Sequence, residues 1–89
     1  MSRYRKIVLR ESELATPGDV HCLLARKLGF PNYYGNNLDA LEDCLGDIDS
    51  PTRIVIKRSA KNPQAWFDGF EEVIRDSAIR SCFLACTIR

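Results

Sequence analysis

Apolar positions along this chain recur with two different periods, and the two alternate. Residues 4–10, "YRKIVLR", carry Ile7, Val8 and Leu9 at the centre of a short run that reads as a strand. In the stretch that follows, Val20, Leu23, Leu24 and Leu28 return at helical spacing. Thr16 is a suitable N-cap, Pro17 fits the first helical position, and Asp19 completes a capping-box pair with Thr16. Gly29 and Pro31 stop the pattern, so a helix is predicted over 17–28. A second helix is predicted from 38 to 47 behind Asn37 as N-cap. On a wheel of about 100° per residue, Leu38, Leu41, Leu45 and Ile48 fall within roughly 80° of one another. Residues 52–57, "TRIVIK", form a second strand after Pro51. Asn62 and Pro63 open a third helical region through residue 78, with Trp66, Phe67, Phe70, Val73 and Ile74 as its apolar face. Gly69 is a weak point where that region is expected to divide into two helices. The chain closes on "CFLACTI", residues 82–88, a nearly continuous apolar strand. Such a strand suits a parallel sheet, although one covered on a single face has the same look.

The order strand, helix, helix, strand, helix, strand implies right-handed crossovers and parallel pairing. The predicted fold class is α/β: one domain over residues 1–89, with a three-stranded parallel sheet packed with three to four helices. A chain of 89 residues buries about 60–65% of its unfolded surface, enough for one core. There is no internal repeat, linker or low-complexity segment. No run approaches the ~18 apolar residues of a membrane span, so no membrane association is expected. The N-terminal "MSRYRKIVLRE" gathers too few apolar residues for a signal-peptide core. The expected compartment is the cytoplasm.

Candidate chemistry narrows the picture mainly by exclusion. Cys22, Cys44, Cys82 and Cys86 include no Cys-x-x-Cys pair, and the single histidine, His21, adjoins Cys22 at no ligand spacing. No metal or cofactor is expected. The cysteines read as reduced thiols serving as small hydrophobes, Cys44 toward the core side of its helix and Cys82 and Cys86 on a buried strand. No nucleophile–base pair is evident. Asp39 and Asp43 lie on an exposed helix, with no reason for either pKa to shift toward acid–base work, so the protein does not read as an enzyme. Two basic clusters occur, Arg3, Arg5, Lys6 and Arg10, then Arg53, Lys57, Arg58 and Lys61. Apart from Tyr4 they lack the aromatics that RNA-binding surfaces use. Direct nucleic-acid contact is therefore not the expected mode, and a small nucleic-acid-binding module stands as the alternative.

The charge distribution carries more. The chain holds 13 basic and 12 acidic residues, yet from Leu28 to Thr52 there is no lysine or arginine. Asp39, Glu42, Asp43, Asp47 and Asp49 all lie inside that stretch. Asp39, Asp43 and Asp47 form one stripe at i, i+4 and i+8, and like charges at that spacing cost a few tenths of a kcal/mol per pair. Asp39 recovers some of this at the positive helix N-terminus. Tyr33, Tyr34 and Gly35 precede the stripe. A single-signed, aromatic-edged face suits a cationic partner.

The block "FPNYYGNNLDALEDCL", residues 30–45, resembles the signature of the barstar family, intracellular inhibitors of barnase-type ribonucleases. Length and element order are similar along the whole chain, and Cys82 falls where barstar has a cysteine. The resemblance implies a barstar-like fold, and an acidic helix and preceding loop that plug a ribonuclease active site. It implies that Asp43 is the carboxylate placed deepest among the nuclease's basic residues, with Asp39 its companion one turn earlier. It implies that Tyr33 lies against the active-site histidine, and that Gly35 and Asn37 shape the loop. Asp76 matches an outlying acidic contact that is a glutamate in barstar. Glu42 occupies the position of a barstar tryptophan, and Asn32 and Asn36 replace acidic loop residues. Barstar is clearly acidic overall, whereas this chain carries a formal net charge of +1. The implied partner is a basic barnase-like ribonuclease or nuclease toxin domain, bound one-to-one by a protein monomeric when free. An inhibitor of the cell's own ribonuclease, a bacterial immunity protein and a barstar-like domain with a non-nuclease partner all fit the residues.

Overall fold

The computed structural model of the protein describes residues 4–89, so Arg3 of the first basic cluster lies outside the described residues. Strand β1 (Arg5–Arg10) leads through a single 3-10 turn (Glu11–Glu13) into helix α1 (Pro17–Leu28). Helix α2 (Leu38–Gly46), strand β2 (Thr52–Lys57), helix α3 (Phe67–Arg80) and strand β3 (Leu84–Ile88) follow. The strands form one sheet in the order β1-β2-β3, parallel throughout. Both crossovers step in the same direction across the sheet, which puts the helices on one face.

Strand alternation decides which residues meet the helices. Ile7 and Leu9 of β1, Ile54 and Ile56 of β2 and Leu84 of β3 are buried with Val20, Leu24, Leu41, Leu45, Phe67, Phe70 and Ile74 in one core. Burying each of these side chains stabilises the fold by about 1.5–3 kcal/mol before the entropy of ordering is subtracted. Ala85, which points away from the helices opposite Arg53, is exposed, so β3 is covered on a single face. Its apolar run therefore does not reflect burial on both sides. Cys82 precedes β3 and is exposed, which corrects its expected place on a buried strand. Cys44 and Cys86 are half-buried, and all four thiols are free.

Helix boundaries follow local chemistry where caps supply it. The Thr16 hydroxyl accepts from Asp19 N at 3.3 Å, and Asp19 Oδ2 accepts from Thr16 N at 3.1 Å. Gly29 ends α1 at φ 69°, in the left-handed region that favours glycine. The third helix departs from expectation at both of its marked points. Residues 62–64 are a bend and loop, 65–66 form a turn, and the helix starts at Phe67. Gly69 does not divide it. A Cβ there would lie 3.0 Å from Leu38 Cδ1, so this glycine lets α3 approach α2 closely.

A buried ion-pair network closes the sheet end where β1 and β2 finish. Glu11 is fully buried and accepts from Arg58 Nε at 3.0 Å, from Ser59 N at 2.7 Å and from Gln64 N at 2.5 Å. Arg58 also donates to Asp68 at 2.8 Å and to Glu71 at 2.9 Å. Burial alone would raise the Glu11 pKa, but hydrogen bonds from Arg58, Ser59 and Gln64 outweigh it and hold the carboxyl below its usual range. This network takes the backbone N–H groups of Ser59 and Gln64 at the two ends of the segment, which ties it as a loop ahead of α3.

Candidate protein-binding face

The loop from Pro31 to Asn37 delivers the chain to α2. Adjacent tyrosines divide the work there. Tyr34 turns inward, packs on Phe30 at 4.9 Å between ring centres, and hydrogen-bonds through its hydroxyl to His21 Nδ1. Burial, and then the nearby Cys44, push its phenol up to about 12. Burial lowers the pKa of His21, which favours a neutral imidazole. Tyr33 points the other way and is 88% exposed. Asn36 takes φ 52°, a left-handed conformation that asparagine tolerates better than most residues. Asn37 caps α2: its Oδ1 accepts from Ala40 N at 2.8 Å, and its Nδ2 donates to Gly35 O at 3.3 Å. A Cβ on Gly35 would meet that same Nδ2 at 3.0 Å, so a side chain there would push the capping Asn37 amide aside by a few tenths of an ångström.

Helix α2 buries Leu41 and Leu45, with Leu38 and Ile48 half-buried beside them, and leaves Asp39, Glu42, Asp43 and Asp47 exposed. Against it, α3 adds Glu72, Asp76 and the 80%-exposed Ile79. A groove of about 640 Å³ runs between the helices past Asp39 and Asp76. A second, of about 570 Å³, lies between Asp43, Asp47, Ser77 of α3 and the residues entering β3, among them Phe83. Folding thus brings Asp76 to the same face as Asp39 and Asp43, although 33 residues separate Asp43 from Asp76 in sequence.

One sequence expectation needs correction here. The acidic stretch is not wholly without an internal partner, because Arg80 Nη2 donates to Glu42 Oε1 at 3.0 Å. Both groups are largely exposed, so this pair contributes at most about 1 kcal/mol. It forms the ridge between the two grooves and ties α3 to α2. Among the described residues, Asp39, Asp43, Asp47 and Asp76 make no ion pair. Sequence reasoning missed Arg80, Glu72 and Ile79. Their spacing from Asp76, at i−4, i+3 and i+4, would have placed them on its side of α3.

The geometry is that of a grooved acidic surface with the exposed Tyr33 on the loop at its edge. No group of three or more His, Cys, Asp or Glu among the described residues is arranged to hold a metal ion. Among the described residues, no helix is long and apolar enough to cross a membrane. The family model described as Barstar (barnase inhibitor) matches residues 4–81. The chain is also 46% identical over 54 residues to a Bacillus subtilis protein named "Putative ribonuclease inhibitor YrdF". That match covers 60% of this chain and 59% of the relative's length. A three-stranded parallel sheet with its helices on one face, the capped acidic helix and the match over residues 4–81 agree, and the chain belongs to the barstar family.

Proposed function

We propose that the protein inhibits a barnase-like ribonuclease by laying the α2–α3 face, with Tyr33 and its loop, over the nuclease active site in a one-to-one complex. The observation that carries this reading is the set of exposed carboxylates Asp39, Asp43 and Asp76, which share one face and have no ion-pair partner among the described residues. A ribonuclease grips RNA phosphates with cations, and a rigid row of carboxylates offers the same charge without a bond to cleave. Helix α2 and its cap hold Asp39 and Asp43 at fixed separation, so little ordering entropy is lost on docking. Asp43 is the central phosphate mimic, Asp39 and Asp76 flank it, and Tyr33 packs on the nuclease from the loop side. Glu42 sits within the interface but is engaged by Arg80. The protein acts in the compartment of its target, which for this family reading is the cytoplasm, as an immunity protein or as a guard against the cell's own enzyme.

The test is titration of the protein into an RNA-cleavage assay with a barnase-like nuclease encoded beside it. Full inhibition at one equivalent is expected. Asp43→Ala should weaken binding by about 2–5 kcal/mol, because truncation leaves the nuclease's buried cations unpaired. That range comes from measured truncations of such pairs, the family's namesake complex among them, and not from this geometry. Asp47→Ala, one turn further along the stripe, should cost much less. Equal, small losses for the two variants would remove the phosphate-mimic mechanism.

A further inference from the structure

The helices cover one face of the sheet, and the opposite face carries Lys6 and Arg10 of the first basic cluster with Arg53 and Lys57 of the second. Parallel pairing sets Lys6 beside Arg53 and Arg10 beside Lys57. Strand spacing of about 4.8 Å makes these two rows of adjacent like charges. Such neighbours repel, and among the described residues the only carboxylate at ion-pair distance is Glu13, 3.7 Å from Arg10 and exposed. Arg58 does not join them, since the Glu11 network holds it. Between the rows lie Val8, Val55 and Thr87, in register across all three strands, with Val55 buried and the other two half-buried. Tyr4 completes the surface. The Arg53 guanidinium sits 5.2 Å from the centre of its ring, and Tyr4 is 52% exposed.

Cations tracking a backbone beside an aromatic platform on an open sheet are the components with which proteins hold unpaired nucleic-acid strands. We propose that this face is a docking surface for single-stranded RNA, with Lys6, Arg10, Arg53 and Lys57 on the phosphates and Tyr4 stacked on a base. The choice of RNA over DNA rests on the ribonuclease reading above; the cationic surface itself does not. Because the acidic face lies on the helical side, the two partners would not compete. The inhibitor could then stay on the strand that its target degrades.

The experiment is fluorescence anisotropy of a labelled, unstructured RNA of about twelve nucleotides, titrated with the full chain and no nuclease, at about 50 to 200 mM salt. Four phosphate contacts to a single strand predict a log K against log salt slope of about −3. A Lys6→Glu/Arg53→Glu double variant should weaken binding at least about tenfold while its melting temperature and its inhibition of the nuclease stay unchanged. Asp43→Ala should bind RNA as the parent does. Absence of binding at low salt, or an unaffected double variant, overturns the proposal. So does tighter binding of DNA of the same sequence. Sedimentation of the protein alone covers the remaining occupant: salt-sensitive self-association abolished by Asp43→Ala would show that a second copy's acidic helix fills this face. Since the binding assay contains no nuclease, its failure and a failure of inhibition are separate results.

Discussion

Among single residues, Glu11 makes the most contacts for its size. Its carboxylate joins the end of β1 to Arg58 at the end of β2 and to the loop that leads into α3. Glu11→Gln leaves Arg58 short of its buried counter-charge, and removal of one partner from such a pair costs about 3–5 kcal/mol. The pH dependence has a defined sign. A carboxyl whose folded pKa is depressed contributes stability above its unfolded pKa and loses it as pH falls through the folded one. The ordinary value here is 4.5, so the contribution of Glu11 is present at neutral pH and disappears in acid. Urea unfolding of wild type and Glu11→Gln at a series of pH values should give curves that are well separated at pH 7 and converge below the ordinary carboxylate range. A gap that is constant with pH would show that the variant loses packing and not charge.

At the scale of elements, the α2–α3 contact sets the candidate face, and Gly69 sets the contact. Gly69→Ala brings a Cβ 3.0 Å from the tip of the flexible Leu38 side chain and gains about 1 kcal/mol of helix propensity, so it should stay near neutral. Gly69→Leu has no room and should cost about 1–3 kcal/mol by overpacking, with a matching loss of nuclease binding as Asp76 moves from Asp39. Chemical denaturation and calorimetry of the two variants check this; wild-type values for the leucine variant would refute the close approach. The glycine also shows what was legible beforehand. Helices α1 and α2 were readable because Thr16, Asp19, Gly29 and Asn37 define their ends locally. Strand β2 was readable because β-branched residues follow a proline. The start of α3 was not, because Pro63 looks like a first helical residue and the contact that overrules it comes from Glu11, 53 positions away. The same reason hid Arg80 from the acidic stripe: it lies 38 positions from Glu42, a separation closed only by folding. Asp39 and Asp43 could be placed by a helical wheel. Their grooves, which need α3, could not.

For the whole molecule, the formal charge of +1 conceals a separation of sign between the helical side and the open sheet. Treated as a point charge, the protein would be weakly repelled by a basic nuclease, and added salt would speed association by screening that repulsion. With the carboxylates turned toward the partner, added salt should slow it, because the local attraction acts within a Debye length of about 8–10 Å. Stopped-flow association rates against a basic nuclease across ionic strength distinguish the two cases; a rate that rises with salt would count against the acidic face as the point of approach. Fixed charges at opposite ends of a rigid body also exert a torque. A molecule with this dipole turns as it nears a cationic surface, and arrivals by the sheet side are deflected before contact. If the acidic face is the point of docking, selection of that face would begin during diffusion, before any side chain is desolvated.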